Sequence, residues 1–236
     1  MSERTFEYVH EGTVLEAFVC TPSDAARRPA VLVAHAWAGR SAFENDKARA
    51  LAALGYVGIA IDMYGKGVLG GSPEENGALM TPFLDNRPLL QSRLQAALAA
   101  ARLDPAVDPQ RVAAIGFCFG GLCVLDLARS GADVRGVVSF HGLLGKPGNT
   151  DGRRIAGKVL VLHGHDDPMV PVSDVVALET ELTAAGADWQ IHTYGNTLHS
   201  FTNPQANDPE FGVRYDANAD RRSWRAMTNF LEEILA

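Results

Sequence analysis

Three residues of this chain have the types and surroundings that nucleophilic chemistry needs. Cys118 stands in Gly116-Phe117-Cys118-Phe119-Gly120-Gly121. The apolar run Arg111–Ile115 leads into this stretch, and the helix-like run Leu122–Arg129 leaves it. Strand, Gly-x-nucleophile-x-Gly turn and helix make up the pattern of a nucleophile elbow, with cysteine where serine is usual. A side chain two residues before or after the nucleophile would collide with the facing helix and strand, and the turn itself is strained. The elbow lifts the thiol clear of the sheet at a helix N-terminus, where unpaired N–H groups favour a thiolate. The same residues also read as a glycine-rich turn around a structural cysteine, so the motif alone does not decide.

Two further residues weigh on that choice. Gly164-His165-Asp166-Asp167-Pro168 follows a strand-like run ending at His163, and Gly195-Asn-Thr-Leu-His199 follows another. Nucleophile, acid, histidine is the chain order of an α/β-hydrolase triad and differs from the orders of the other well-known triads. His199 would take the Cys118 proton and return it to the leaving group, and Asp167 would fix the imidazole tautomer. Asp166 competes for the acid role; Asp167 is preferred because Pro168 follows it directly. Backbone N–H groups must hold the tetrahedral oxyanion, and those of Phe119 and Trp37 are the candidates. Each residue also has an ordinary reading, Asp as a turn former and His as a solvated loop residue. All three arriving in order, each after a strand, favours the triad. His35 and His141 also follow strands and stay in reserve; the remaining histidines read as structural or surface. No CxxC or HExxH spacing occurs, so no metal is expected.

The elements that must carry these residues alternate. An opening hairpin (Thr5–Tyr8, Leu15–Val19) turns at His10-Glu11-Gly12, and Thr21–Pro29 reads as a polar loop. Ala30–Ala34, Tyr56–Ile61, Val134–Phe140 and Lys158–His163 are apolar runs of strand length, as expected of strands covered on both faces. Helical spacing occupies Ala42–Leu54, Asn86–Arg102, Ser173–Ala185 and Ala219–Leu235. Met63–Asp85, with five glycines and two prolines, reads as the longest irregular stretch, a short covering segment. Strands alternating with helices and no linker predict a doubly wound, mostly parallel α/β sheet in one domain over 1–236. Ligands of such sheets bind beyond the carboxyl ends of the strands, where Cys118, Asp167, His199 and the His35–Gly39 loop all fall.

Composition narrows the function classes. The 236 residues are 47% hydrophobic and 21% charged, and 28 acids against 21 bases give a net charge of −7. That balance argues against non-specific nucleic-acid or anionic-membrane binding. Three cysteines make no disulfide framework and suit a reducing cytosol. The N-terminal residues lack the pattern of a signal peptide, and no apolar run has membrane-spanning length, so a cytoplasmic monomer or homodimer is expected.

These residues also carry a resemblance. Gly116–Gly121, Asp167-Pro-Met-Val-Pro171, His199-Ser-Phe201 and Asp62-Met-Tyr-Gly65 are similar to motifs of the dienelactone hydrolase family of α/β-hydrolases (carboxymethylenebutenolidase-like). The resemblance spans nearly the whole chain. It implies a Cys–His–Asp triad that cleaves a lactone or small ester through a thioester acyl-enzyme, with no cofactor. The founding members carry a thiol-activating glutamate where this chain has Ala36. They also carry a carboxylate-binding arginine four residues after the histidine, where this chain has Asn203. The founding dienelactone is therefore not the expected substrate. His35, Tyr64, Arg40 and Asn203 are candidate substrate contacts, with Arg40 or Arg87 available to replace the lost cation. A non-catalytic binding protein on the same fold and a thiol-dependent acyltransferase or peptidase are the alternative readings.

Overall fold

The computed structural model describes residues 1–23 and 26–236. In chain order the elements are β1 (Ser2–His10), β2 (Thr13–Thr21), β3 (Arg28–Ala34), α1 (Ala42–Ala53), β4 (Val57–Ala60), α2 (Pro73–Asp85), α3 (Arg87–Arg102) and β5 (Val107–Phe117). They continue with α4 (Phe119–Arg129), β6 (Gly136–Phe140), β7 (Lys158–Gly164), α5 (Val172–Ala184), β8 (Trp189–Tyr194), β9 (Asn207–Asp208), β10 (Val213–Arg214) and α6 (Ala217–Leu235). Of the Thr21–Pro29 loop expected from the sequence, Asp24 and Ala25 lie outside the described residues.

Eight strands form one sheet in the order β1-β2-β4-β3-β5-β6-β7-β8. β1 pairs antiparallel with β2, and β2 antiparallel with β4; every later pair is parallel. The Glu11-Gly12 turn that closes the hairpin has positive φ at both residues (49° and 78°), the geometry that matches strand twist. The inner strands are short apolar runs because helices cover both faces. On one face, Ala48 and Leu51 of α1 and Met227, Phe230 and Leu231 of α6 pack on Val31, Val33 and Ile115. On the other, α3, α4 and α5 bury Leu94, Leu125 and Leu178 against Leu32, Ala114 and Val161. The chain runs from β3 to β4 on one side and returns to β5 on the other. The sheet therefore reverses its direction of growth between β3 and β5, and the crevice there opens at their carboxyl ends.

Two stretches differ from expectation. Met63–Asp85 is not irregular throughout: Pro73–Asp85 is helix α2. Its prolines are compatible with that. Pro73 occupies the first helical turn, where its missing N–H would have had no partner, Ser72 caps the Glu75 N–H at 3.2 Å, and Pro82 falls in the last turn. The polar segment before α6 holds a two-stranded ribbon, β9–β10. No helix among the described residues is long and apolar enough to cross a membrane.

Candidate active site

β5 ends at Phe117, and Cys118 turns sharply, with φ 55° and ψ −115°. A cysteine held there stores about 1–3 kcal/mol of backbone strain, so the surroundings must impose it. They do: the Cys118 N–H donates to the Phe140 carbonyl at 3.1 Å, and α4 starts at the next residue. The flanking glycines leave no alternative. A Cβ on Gly116 would fall inside the Gly120 carbonyl, and one on Gly120 inside the Ala34 carbonyl. Cys118 is half-exposed, while Cys20 and Cys123 are buried.

The loop after β7 holds Asp167, whose Oδ1 accepts the Met169 N–H at 2.9 Å. Its Oδ2 accepts from His199 Nδ1 at 2.7 Å, with both side chains buried. Asp166 is exposed, and of the two acids it is Asp167 that His199 meets. The ribbon grips the histidine backbone: the His199 N–H donates to Gly212 O at 3.0 Å, and His199 O accepts the Arg214 N–H at 3.1 Å. His199 Nε2 is buried and free of any hydrogen bond among the described residues. Burial disfavours the imidazolium, but the negative charge on Cys118 and the Asp167 hydrogen bond outweigh it and raise His199 to about 10.

The loop after β3 is held from every side. His35 Nδ1 donates to Ala36 O at 2.6 Å, because its Nε2 accepts the Met63 N–H at 3.1 Å and so must be the unprotonated nitrogen. The Tyr64 hydroxyl donates to Trp37 O at 2.9 Å, and the Ala36 N–H reaches Glu44 Oε1 at 3.3 Å. The Trp37 N–H itself makes no hydrogen bond among the described residues, and neither does that of Phe119 at the first position of α4. Two unpaired donors thus stand on the two loops that flank the crevice.

Cys118 and His199 open into a cavity of about 380 Å³. Pro73 and Met80 from α2 line it together with Trp37, Leu143, Met169 and Phe211. Trp37 and Phe211 stack at 6.3 Å. Asn203 also lines the cavity; His35, Tyr64 and Arg40 do not. His35 and Tyr64 are spent on the β3 loop, and Arg40 Nη2 pairs with Glu16 at 2.8 Å. Arg87 is held by Asp126 at 2.6 Å. Among the described residues no lysine or arginine lines the cavity, and Asp208 is its only acid. The histidines kept in reserve have other places. His141 packs edge-on against His199 at 5.2 Å, and its Nε2 meets Thr202 Oγ1 at 2.8 Å. Burial, with His199 beside it, pushes the His141 ring well down and keeps it neutral.

Sequence reasoning missed the apolar lining from α2 and from the segment around Phe211, which only the fold brings to the cavity. It also missed Glu44, although Ser41-Ala42-Phe43-Glu44 has the spacing of a capping box.

With the geometry in hand, likeness to known proteins is informative. Residues 15–235 match the model of the dienelactone hydrolase family. A dienelactone hydrolase-like promiscuous phosphotriesterase from metagenomic libraries shares 37% identity, with a TM-score of 0.94 over 100% of this chain and 99% of that one. A putative carboxymethylenebutenolidase of Synechocystis is 27% identical over 94% of this chain and 92% of that protein. An uncharacterized protein of Caenorhabditis elegans is 41% identical over 64% of this chain and 98% of its own. The chain belongs to the dienelactone hydrolase family, and with it to the hydrolases that act on esters or lactones.

Proposed function

We propose that the chain hydrolyses neutral, largely apolar carboxylic esters or lactones through Cys118, His199 and Asp167, by way of a thioester. The observation that carries this reading is the junction of a strained, half-exposed Cys118 with a buried His199–Asp167 pair in one apolar cavity.

His199, raised to about 10, is basic enough to take and hold the proton that the Cys118 thiol gives up. The Cys118 thiolate attacks the ester carbonyl carbon, and the Trp37 and Phe119 N–H groups take the oxyanion. On collapse the C–O bond breaks and the alkoxide leaves with the Nε2 proton of His199, which has no competing partner. The neutral imidazole then takes a proton from water as it attacks the thioester. The second tetrahedral intermediate expels the thiolate and the carboxylic acid. Asp167 holds the tautomer through both halves.

Substrate charge follows from the lining. With Arg40 and Arg87 engaged elsewhere, no lysine or arginine among the described residues of the cavity offsets a substrate carboxylate, and Asp208 repels one. A neutral phosphotriester is a second class that the same lining accommodates, and a relative 37% identical is described as a promiscuous phosphotriesterase. The test is hydrolysis of p-nitrophenyl acetate and simple lactones by wild type, Cys118→Ala and His199→Ala. Both variants are expected to lose about a thousandfold or more in kcat. Full activity in Cys118→Ala would remove the mechanism. Tight binding of such esters by an inert wild type would favour a binding protein.

A further inference from the structure

A second cavity, of about 860 Å³, lies between α1 and α6 and is larger than the one over Cys118. The two are separated by the turn that carries Asn203, which lines both. The new cavity is built around Lys47. Its Nζ stands 4.9 Å from the Phe43 ring centroid, 5.1 Å from that of Trp224 and 5.5 Å from that of Phe117. Three rings therefore surround one ammonium.

Among the described residues its three N–H donors find no acceptor, and no carboxylate lies within ion-pair distance. The acids nearby are committed elsewhere. Asp46 holds Arg49 at 2.7 Å, Glu44 takes the Ser41 N–H at 2.8 Å, and Asp220 accepts the Tyr215 hydroxyl at 3.2 Å. Burial disfavours the charged forms of both Lys47 and Asp220, pushing the ammonium down and the carboxyl up. Aromatic faces compensate part of the lost hydration of a lysine but leave its hydrogen bonds unmade. The cage already contains a cation, so a ligand that completes it must bring negative charge. Arg221 and Arg225, one turn apart on α6, put two further cations on the wall, against the carboxylates of Asp46 and Asp220. Trp224 and Phe43 offer it flat apolar surface.

We propose that this cavity is a second small-molecule site, for a carboxylate on a flat apolar body. The carboxylate meets the Lys47 ammonium, and the body lies along Trp224 and Phe43. The site is independent of the chemistry assigned to Cys118.

The test is titration of ¹⁵N-labelled protein with benzoate at constant ionic strength, with benzamide as the neutral control. Benzoate is expected to shift the Trp224 indole and Tyr215 signals saturably, and benzamide is not. Lys47→Met should weaken benzoate at least tenfold, and Lys47→Arg should restore most of it. Ala50→Glu, on the same wall, leaves Lys47 in place and should weaken benzoate as well. Benzoate shifts confined to Trp37 in the catalytic cavity, equal binding of benzamide, or unchanged affinity in Lys47→Met and Ala50→Glu would overturn the proposal. So would a dimer that buries Trp224 and is dissolved by Arg221→Glu, since the face would then join two copies of the chain.

Discussion

The carboxylate of Glu44, buried in the first turn of α1, accepts the Ala36 N–H at 3.3 Å and with its other oxygen takes the Ser41 N–H at 2.8 Å. One side chain thus closes the helix cap and ties down the loop that presents the Trp37 N–H. Where founding members of the family place a glutamate, this chain has Ala36. The carboxylate that reaches the same loop comes from eight residues further along and grips its backbone.

Glu44→Ala is therefore expected to act twice. Loss of half the capping box should cost about 1 kcal/mol of stability. Loosening of the loop that presents the Trp37 N–H should lower kcat about tenfold or more, with KM changed far less. Urea unfolding and ester kinetics separate the two effects. Equal changes in KM and kcat/KM with kcat intact would show that Glu44 has no part in holding the Trp37 N–H for the chemical step.

Asp167→Asn preserves size but removes the charge and the acceptor that select the His199 tautomer. A fall of about a thousandfold in kcat is expected, with little loss of fold. Asp166→Asn, at an exposed position, should stay within about twofold of wild type. If the two variants switch places, the acid has been misassigned.

His199 titrates far above an ordinary histidine, so its protonated form should persist through neutral pH and be lost as pH rises through about 10. The imidazole ring signals in NMR should show no step near 6.5 and a step near 10. Cys118→Ala removes the negative charge that sustains the cation, and the step should then move down. A wild-type midpoint near 6.5 would contradict the ion pair.

A cavity with Asp208 and, among the described residues, no lysine or arginine should discriminate by charge. p-Nitrophenyl acetate is expected to exceed p-nitrophenyl hemisuccinate in kcat/KM by at least about tenfold, a difference of about 1.4 kcal/mol. Asp208→Lys should narrow that gap. Preference for the hemisuccinate would show that a cation reaches the site.

Beneath the site, Arg129 is fully buried and binds Glu181 at 2.7 Å and Asp126 at 3.2 Å, while Arg87 binds Asp126 at 2.6 Å. Arg129→Met leaves two carboxylates short of a partner and should cost about 3–5 kcal/mol. Chemical denaturation measures it. A loss under about 1 kcal/mol would mean that Arg87 or water covers both acids.

The strand-helix alternation was legible because two-sided burial demands short apolar runs, as at Ala30–Ala34 and Lys158–His163. The elbow was legible because the sterics of Gly116 and Gly120 leave no other residue there. α2 was not, since Pro73 and Pro82 look like breakers until one is seen at the helix start and the other in its last turn. Arg40 and Arg87 looked available for a substrate carboxylate, because a sequence does not record that Glu16 and Asp126 stand opposite them.

By itself the sequence determined the alternation of the main strands and helices and the placing of Cys118, Asp167 and His199 after strands, because local periodicity and turn sterics act over a few residues. Only the tertiary structure decided which acid meets His199, which N–H groups stay unpaired and which charges face the cavity. The Asp167–His199 pair joins residues 32 positions apart and the Arg87–Asp126 pair residues 39 apart, contacts set by how the sheet and its helices bring distant segments together.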